Sequence, residues 1–197
     1  MQGVPKDFDC NRTALLVMDH QEMLIENYIP DRDIYLTELA NVLNVTRANN
    51  IQTIYVTVGF RKNYPEVSER NAIFSSVRSG GRFSIDDASS AIPAIIAPQG
   101  DDLVVIKHRV SAFEGTELQL LLRAKDISTL ILLGITTSGV VLSTVRQAAD
   151  LDYEVFVLGD YCRDGDPEVQ NILLDKILPM QASVITSSSY LELFSDR

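Results

Sequence analysis

A three-layer α/β fold, with helices on both faces of a six-stranded and mostly parallel sheet, is predicted by three features of this 197-residue chain. Short runs dense in Val, Ile and Leu recur along it. Longer stretches with helical spacing separate them, and the two kinds alternate from one end to the other. Near-continuous apolar runs mark strands covered on both faces, and strand–helix–strand repetition implies right-handed crossovers within a parallel sheet. The length suits one domain, residues 1–197.

The predicted strands are Thr13–Asp19, Ile51–Val58, Leu103–Lys107, Thr129–Gly134, Glu154–Gly159 and Ser183–Thr186. Helices are predicted over Asp33–Asn49, Thr116–Lys125, Ser138–Leu151 and Pro167–Leu178. Thr116 offers a cap with Glu117 in the first turn, and Asp166-Pro167-Glu168 places proline directly after an N-cap acid. Val140, Val141, Val145, Ala148 and Ala149 form the buried face of the third helix. One segment breaks the rhythm. Gly59–Gly100 carries Gly80-Gly81, Pro65, Pro93 and Pro98, and so long an insertion reads as a lid, a binding loop or a subunit contact.

Composition narrows the function. Hydrophobic residues make up 46% and charged residues 22%, which argues against long disorder. The formal net charge of −10 sets the surface against nucleic-acid backbones and anionic lipid. No apolar run approaches the roughly 20 residues of a membrane span, and the polar stretch Met1–Asn11 does not read as a secretory signal. The two cysteines, Cys10 and Cys162, make neither a disulfide framework nor a CxxC metal motif. The expectation is a cytoplasmic protein that binds no nucleic acid and no membrane.

In open parallel sheets ligands bind beyond the carboxyl ends of the strands, where strand order reverses. The first strand ends in Asp19, followed by His20 and Gln21; the third ends in Lys107, followed by His108 and Arg109. The fourth runs from Gly134 straight into a helix that opens at Ile135–Val140. An acid, an amine and a helix N-terminus together could move a proton and hold a developing negative charge. The same residues also fit a turn cap, a solvated strand-end amine and, at Ser138, a helix N-cap. Successive strand residues face opposite ways, so His20 and His108 should point away from a site built on their neighbours. No His spacing suggests a metal, and Asp160, Asp164 and Asp166 read as a solvated turn and a helix cap.

Three stretches carry a resemblance: Ala14-Leu15-Leu16-Val17-Met18-Asp19-His20-Gln21, Val105 through Thr116 (VIKHRVSAFEGT), and Leu132 through Thr144 (LLGITTSGVVLST). In this order and spacing the chain resembles the isochorismatase-like hydrolases, a family that includes nicotinamidases and other cysteine hydrolases. The resemblance implies a Rossmann-like six-stranded sheet, a homodimer or homotetramer, and a site on Asp19, Lys107 and a cysteine opening the helix after the fourth strand. In the family that thiol attacks a carbonyl, the aspartate takes its proton and the lysine lowers its pKa. The peptide matching Ile135–Thr136 is often cis there. In this chain the position matching the thiol is Val140, and neither Cys10 nor Cys162 lies near the motif in sequence.

The resulting expectation is a hydrolase acting on a small amide, ester or enol ether by acid–base catalysis through Asp19 and Lys107, without a thiol. The alternative is an inactive member that binds a ligand or a partner. Candidate substrate and oxyanion residues are Gln21, Phe113, Ile135 and Thr136, followed by Thr137, Ser138, Gly139 and Val140. Thr136, Thr137, Ser138 and Ser143 offer hydroxyls to attack or position water. Phe113 would form an apolar wall, and Phe60, Arg61, Arg82 and Phe83 the pocket mouth. No cofactor and no metal are expected.

Overall fold

The computed structural model describes residues 9–195; residues 1–8, which hold most of the polar amino-terminal stretch, lie outside it. Six strands form one sheet in the order β3-β2-β1-β4-β5-β6, every neighbouring pair parallel. They are β1 (Thr13–Met18), β2 (Gln52–Val58), β3 (Leu103–Lys107), β4 (Thr129–Ile135), β5 (Glu154–Arg163) and β6 (Ser183–Ile185). The order reverses between β1 and β4, so the crevice expected of such a sheet lies over the carboxyl ends of these central strands. Register aligns those ends, with Met18 opposite both Val56 and Gly134, and Val58 opposite Lys107.

Alternation along the strands builds two cores. Leu16, Met18, Ile54 and Val56 face one layer of helices, and Leu15, Val17 and Tyr55 face the other. Each such side chain, fully withdrawn from water, contributes about 1.5–3 kcal/mol. The edge differs from expectation. On β3, Val104 and Ile106 are exposed, so this strand is covered on one face only.

The helices are α1 (Glu22–Tyr28), α2 (Arg32–Ala48), α3 (Ala72–Ser79), α4 (Leu118–Ala124), α5 (Leu142–Asp150), α6 (Pro167–Ile172) and α7 (Ser187–Glu192). Three of them, α1, α3 and α7, were not predicted. Thr116 accepts the Leu118 N–H but is not the cap: α4 starts two residues later than expected, with Glu117 at its N-cap and no side-chain cap bond. Asp166 accepts from Glu168 and Val169 to open α6, as the Asp-Pro-Glu sequence requires. Helix α5 is preceded by a wide turn, Thr137–Val141, in which the Val141 N–H reaches back to the Thr136 carbonyl at 3.3 Å. Strand β5 runs four residues past its predicted end, its register against β4 shifting between Leu132 and Gly134. Cys162 therefore sits inside β5 opposite Gly134, not in a loop.

The long insertion folds back on the sheet. Phe60 N–H bonds to Phe83 O at 2.8 Å and Ile85 N–H to Phe60 O at 3.0 Å, laying residues 83–85 beside the end of β2. Beneath this, Val58, Phe60, Phe74, Val77 and Phe83 pack as a third apolar cluster. Asn71, whose side chain accepts the Phe74 N–H, starts α3 over it.

Candidate active site

Asp19 leaves β1 with φ +56, a left-handed conformation that aspartate tolerates better than most residues. The turn carries its carboxyl across the end of β2 toward Lys107, the last residue of β3. Lys107 Nζ lies 2.9 Å from Asp19 Oδ2, both side chains being more than nine-tenths buried. The ammonium also donates to the Arg109 carbonyl at 3.1 Å. Asp19 Oδ1 is buried without a hydrogen-bond partner; the Val58 N–H, near enough to help hold the carboxyl's pKa down, donates to Gln21 Oε1 at 3.0 Å. Burial pushes the Asp19 carboxyl above its ordinary pKa, and the Lys107 charge offsets only part of that rise.

Both groups open onto a cavity of about 570 Å³. Ile135, Thr136, Ser138, Gly139 and Val140 line it from the end of β4 and the turn before α5, and Arg82 and Phe83 from the insertion. The Ile135–Thr136 peptide is cis. A Cβ on Gly139 would lie 2.7 Å from Thr136 Oγ1, so glycine lets the turn close tightly. The first N–H groups of a helix lack intrahelical acceptors and carry partial positive charge. Here the Ser138 N–H is given to Asp164 Oδ2 at 2.7 Å.

Three predicted site residues are elsewhere. Gln21 does not line the cavity. Its amide donates to the Val58 and Ser90 carbonyls and accepts the Val58 N–H, tying the β1 turn to β2 and the insertion. Phe113 packs in the core against Tyr153, their ring centroids 6.0 Å apart. Thr137 is fully buried and spends its hydroxyl on Gln170 Oε1 at 2.6 Å. Ser143 does not line the cavity, and at the mouth Phe60 is buried in the third cluster while Arg61 pairs with Glu66.

His20 turns to the opposite core, between the Met18 carbonyl and the Tyr35 hydroxyl, where burial lowers its pKa to about 4. His108 meets the Gly59 carbonyl at 2.6 Å. Asp164 and Asp160 are not simply solvated: the first holds the Ser138 N–H, and the second accepts the Ser187 N–H at the start of α7. Cys162 is fully buried with its thiol pushed up to about 12, too high for a nucleophile at neutral pH. Among the described residues, no three His, Cys, Asp or Glu side chains converge as a metal cluster.

Several cavity residues escaped sequence reasoning, notably Asn27 and Tyr28 of α1 and Phe74 and Val77 of α3. For α3 a signal existed. Asn71 is a good cap, and Ile73, Phe74 and Val77 have helical spacing.

Fold and site together define an α/β protein with a cavity at the reversal point of its sheet and a buried acid–amine pair in its wall. A family model for the isochorismatase domain matches residues 13–189, and the chain belongs to that family of hydrolases. It is 27% identical over 180 residues to the uncharacterized isochorismatase family protein YecD of Escherichia coli O157:H7, covering 90% of this chain and 94% of that one. It is 28% identical over 185 residues to the ureidoacrylate amidohydrolase RutB of Stutzerimonas stutzeri strain A1501, covering 83% and 75%. Among solved structures, an isochorismatase family protein from Burkholderia thailandensis superposes with a TM-score of 0.81 at 26% identity, covering 91% of this chain and 93% of that one.

Proposed function

We propose that the protein hydrolyses a small amide, ester or enol ether by proton transfer through Asp19, with Lys107 as its charge partner and no covalent thiol intermediate. The observation that carries this reading is the Asp19 carboxyl itself. It is buried and held on one oxygen by Lys107, with its other oxygen unbonded beside a ligand-sized cavity. A carboxyl raised by burial holds its proton more readily near neutral pH, which suits protonation of a leaving atom or an enol-ether carbon. Water then adds to the electrophilic carbon. The carbon–nitrogen or carbon–oxygen bond to the leaving group breaks, the leaving group departs as amine or hydroxyl compound, and the proton given up by the water returns to Asp19. In the turn that precedes α5 the Ser138 N–H is held by Asp164, which leaves the backbone at Gly139 and Val140 to face a developing oxyanion.

Valine supports the thiol-free route. Val140 lines the cavity and is nearly fully buried, and its side chain can neither attack nor be ionised. The same residue favours a second reading, in which the cavity binds a metabolite without turning it over.

A panel of primary amides, ureides, esters and enol ethers separates the two. Turnover of at least one member that survives iodoacetamide treatment is the expected result. Activity that disappears on alkylation overturns the thiol-free mechanism. No turnover, with a panel member raising the melting temperature, establishes the binding reading. In Val140→Cys, alkylation-sensitive amidase activity should appear beside the original one.

A further inference from the structure

We infer that Arg109 is a positioning residue: its carbonyl sets the Lys107 ammonium against Asp19, and its guanidinium ties that setting to the seat of the long insertion. The inference rests on Asp19 and Lys107 being the reacting pair. The ammonium is held between two acceptors, Asp19 Oδ2 at 2.9 Å and the Arg109 carbonyl at 3.1 Å. A lysine carries a compact charge on a flexible stem, so a single acceptor would leave that charge free to swing. The second acceptor fixes its direction, and with it the counter-charge that offsets the burial of the Asp19 carboxyl.

The Arg109 carbonyl belongs to a stretch without a backbone ladder. Residues 108–117 form neither helix nor strand, so side chains have to hold the main chain there. Arg109 does so beside the pair. Its Nη1 donates to the His108 carbonyl at 2.6 Å, folding the guanidinium back over its own peptide. The same nitrogen donates to the Glu66 carbonyl at 3.2 Å, in the insertion. Val67, next to Glu66, is buried in the third apolar cluster, so this acceptor is itself fixed. The guanidinium lies 6.0 Å from the centre of the Phe74 ring, which lines the cavity. One residue earlier, His108 Nδ1 bonds to the Gly59 carbonyl at 2.6 Å. The end of β3 is thus stitched to the insertion at two points, Gly59 and Glu66.

Both bonds of the guanidinium go to main-chain carbonyls, which its planar fork fixes in direction as well as in distance. A shift of the insertion that breaks the Glu66 bond therefore loosens the Arg109 carbonyl, lets Lys107 swing and strips Asp19 of its counter-charge. The poise of the acid depends on the insertion being in place.

Two magnetic resonance signals test this without requiring turnover. The side-chain nitrogen signal of Lys107 reports how firmly the ammonium is held, and the carboxyl carbon signal of Asp19 reports its titration; Lys107→Met and Asp19→Asn assign them. Arg109→Met keeps the stem over Phe74 and removes both carbonyl bonds. In it the Lys107 signal should broaden through exchange with water, and the Asp19 midpoint should rise by about one pH unit, the low end of what a cation beside an aspartate supplies. Arg109→Lys, whose ammonium can keep one carbonyl but not the fork, should fall between that variant and wild type. If Arg109→Met fails to fold, Arg109→Lys carries the test alone, with the same two signals moving the same way. A pair unchanged in either folded variant, whatever the melting temperature does, overturns the inference. So does an Asp19 midpoint that rises while the Lys107 signal stays sharp, since that marks an effect of charge alone. A loosened pair in a protein that cleaves no member of the panel refutes hydrolysis and leaves this inference standing. Turnover by a pair indifferent to Arg109 does the reverse.

Discussion

An ion pair lies near each end of the sheet, half-buried at the amino ends and buried at the carboxyl ends. Near the amino ends, Arg47 of α2 grips Asp102 just before β3. Nε and Nη2 both reach Oδ2, at 3.1 and 2.7 Å, the Gln99 N–H adds a third bond to that oxygen, and Nη2 also meets the Tyr55 hydroxyl. At the carboxyl ends Lys107 makes one contact with Asp19 and leaves Oδ1 bare. The larger groove, about 790 Å³, belongs to the first pair and the smaller cavity to the second. Size therefore does not mark the site. A carboxylate whose lone pairs are filled by its own protein is a clamp, joining α2 to the β3 edge. One with an oxygen that meets no donor of its own protein, on a residue that lines a cavity, has capacity to spend on a guest.

The largest expected effect tests the second pair. Asp19→Asn should lower turnover by roughly 100-fold or more, the scale of a lost proton-transfer group, while circular dichroism shows the fold intact because asparagine also accepts positive φ. If the variant turns over within a few-fold of wild type, the two pairs do not differ in kind. Asp102→Ala is the converse. It strands Arg47 and the Gln99 N–H, and urea unfolding should show a loss of about 3 kcal/mol, with turnover per folded molecule unchanged.

Two buried groups near the β1 turn should leave opposite marks on the pH dependence of stability. His20 takes a proton at about 4 when folded but near 6.5 when unfolded, so its contribution is lost as pH falls through that window. Between about pH 8 and about pH 5 the loss should reach about 2 kcal/mol, and His20→Gln should abolish it. Asp19 works the other way. Its raised carboxyl stays protonated where the unfolded chain has ionised, so stability falls as pH rises from 3.8 toward the raised value, and Asp19→Asn should remove that slope. The smallest effect is expected from Gly139→Ala, about 1 kcal/mol in thermal unfolding, since the added methyl displaces the Thr136 hydroxyl. Its sharper readout is weaker binding in the cavity with the Arg47–Asp102 pair undisturbed.

Legibility in the sequence followed the range of the interactions involved. Strands β1 to β4 could be read almost to the residue because an uninterrupted Val, Ile and Leu run is a local property. The Asp166 cap could be read for the same reason. Where β5 ends depends on a register shift against β4, and α1 on contacts such as the Glu22 N–H reaching the Ala91 carbonyl. Gln21 shows the limit most plainly. Two residues after Asp19 in sequence, it reads as a site residue. Its bonds to Val58 and Ser90, 37 and 69 residues away, make it a brace instead. Phe113 was likewise an aromatic beside a promising motif whose partner, Tyr153, could not be known from its neighbours.

The order of residues by itself placed an acid, an amine and a helix start at three strand ends, and a valine where a thiol would have announced the chemistry. Only the folded chain decided that the acid and amine meet out of water and that one oxygen of Asp19 goes unbonded. Charge spacing, desolvation and bond saturation depend on groups brought together from distant parts of the chain, and no stretch of sequence contains all of them.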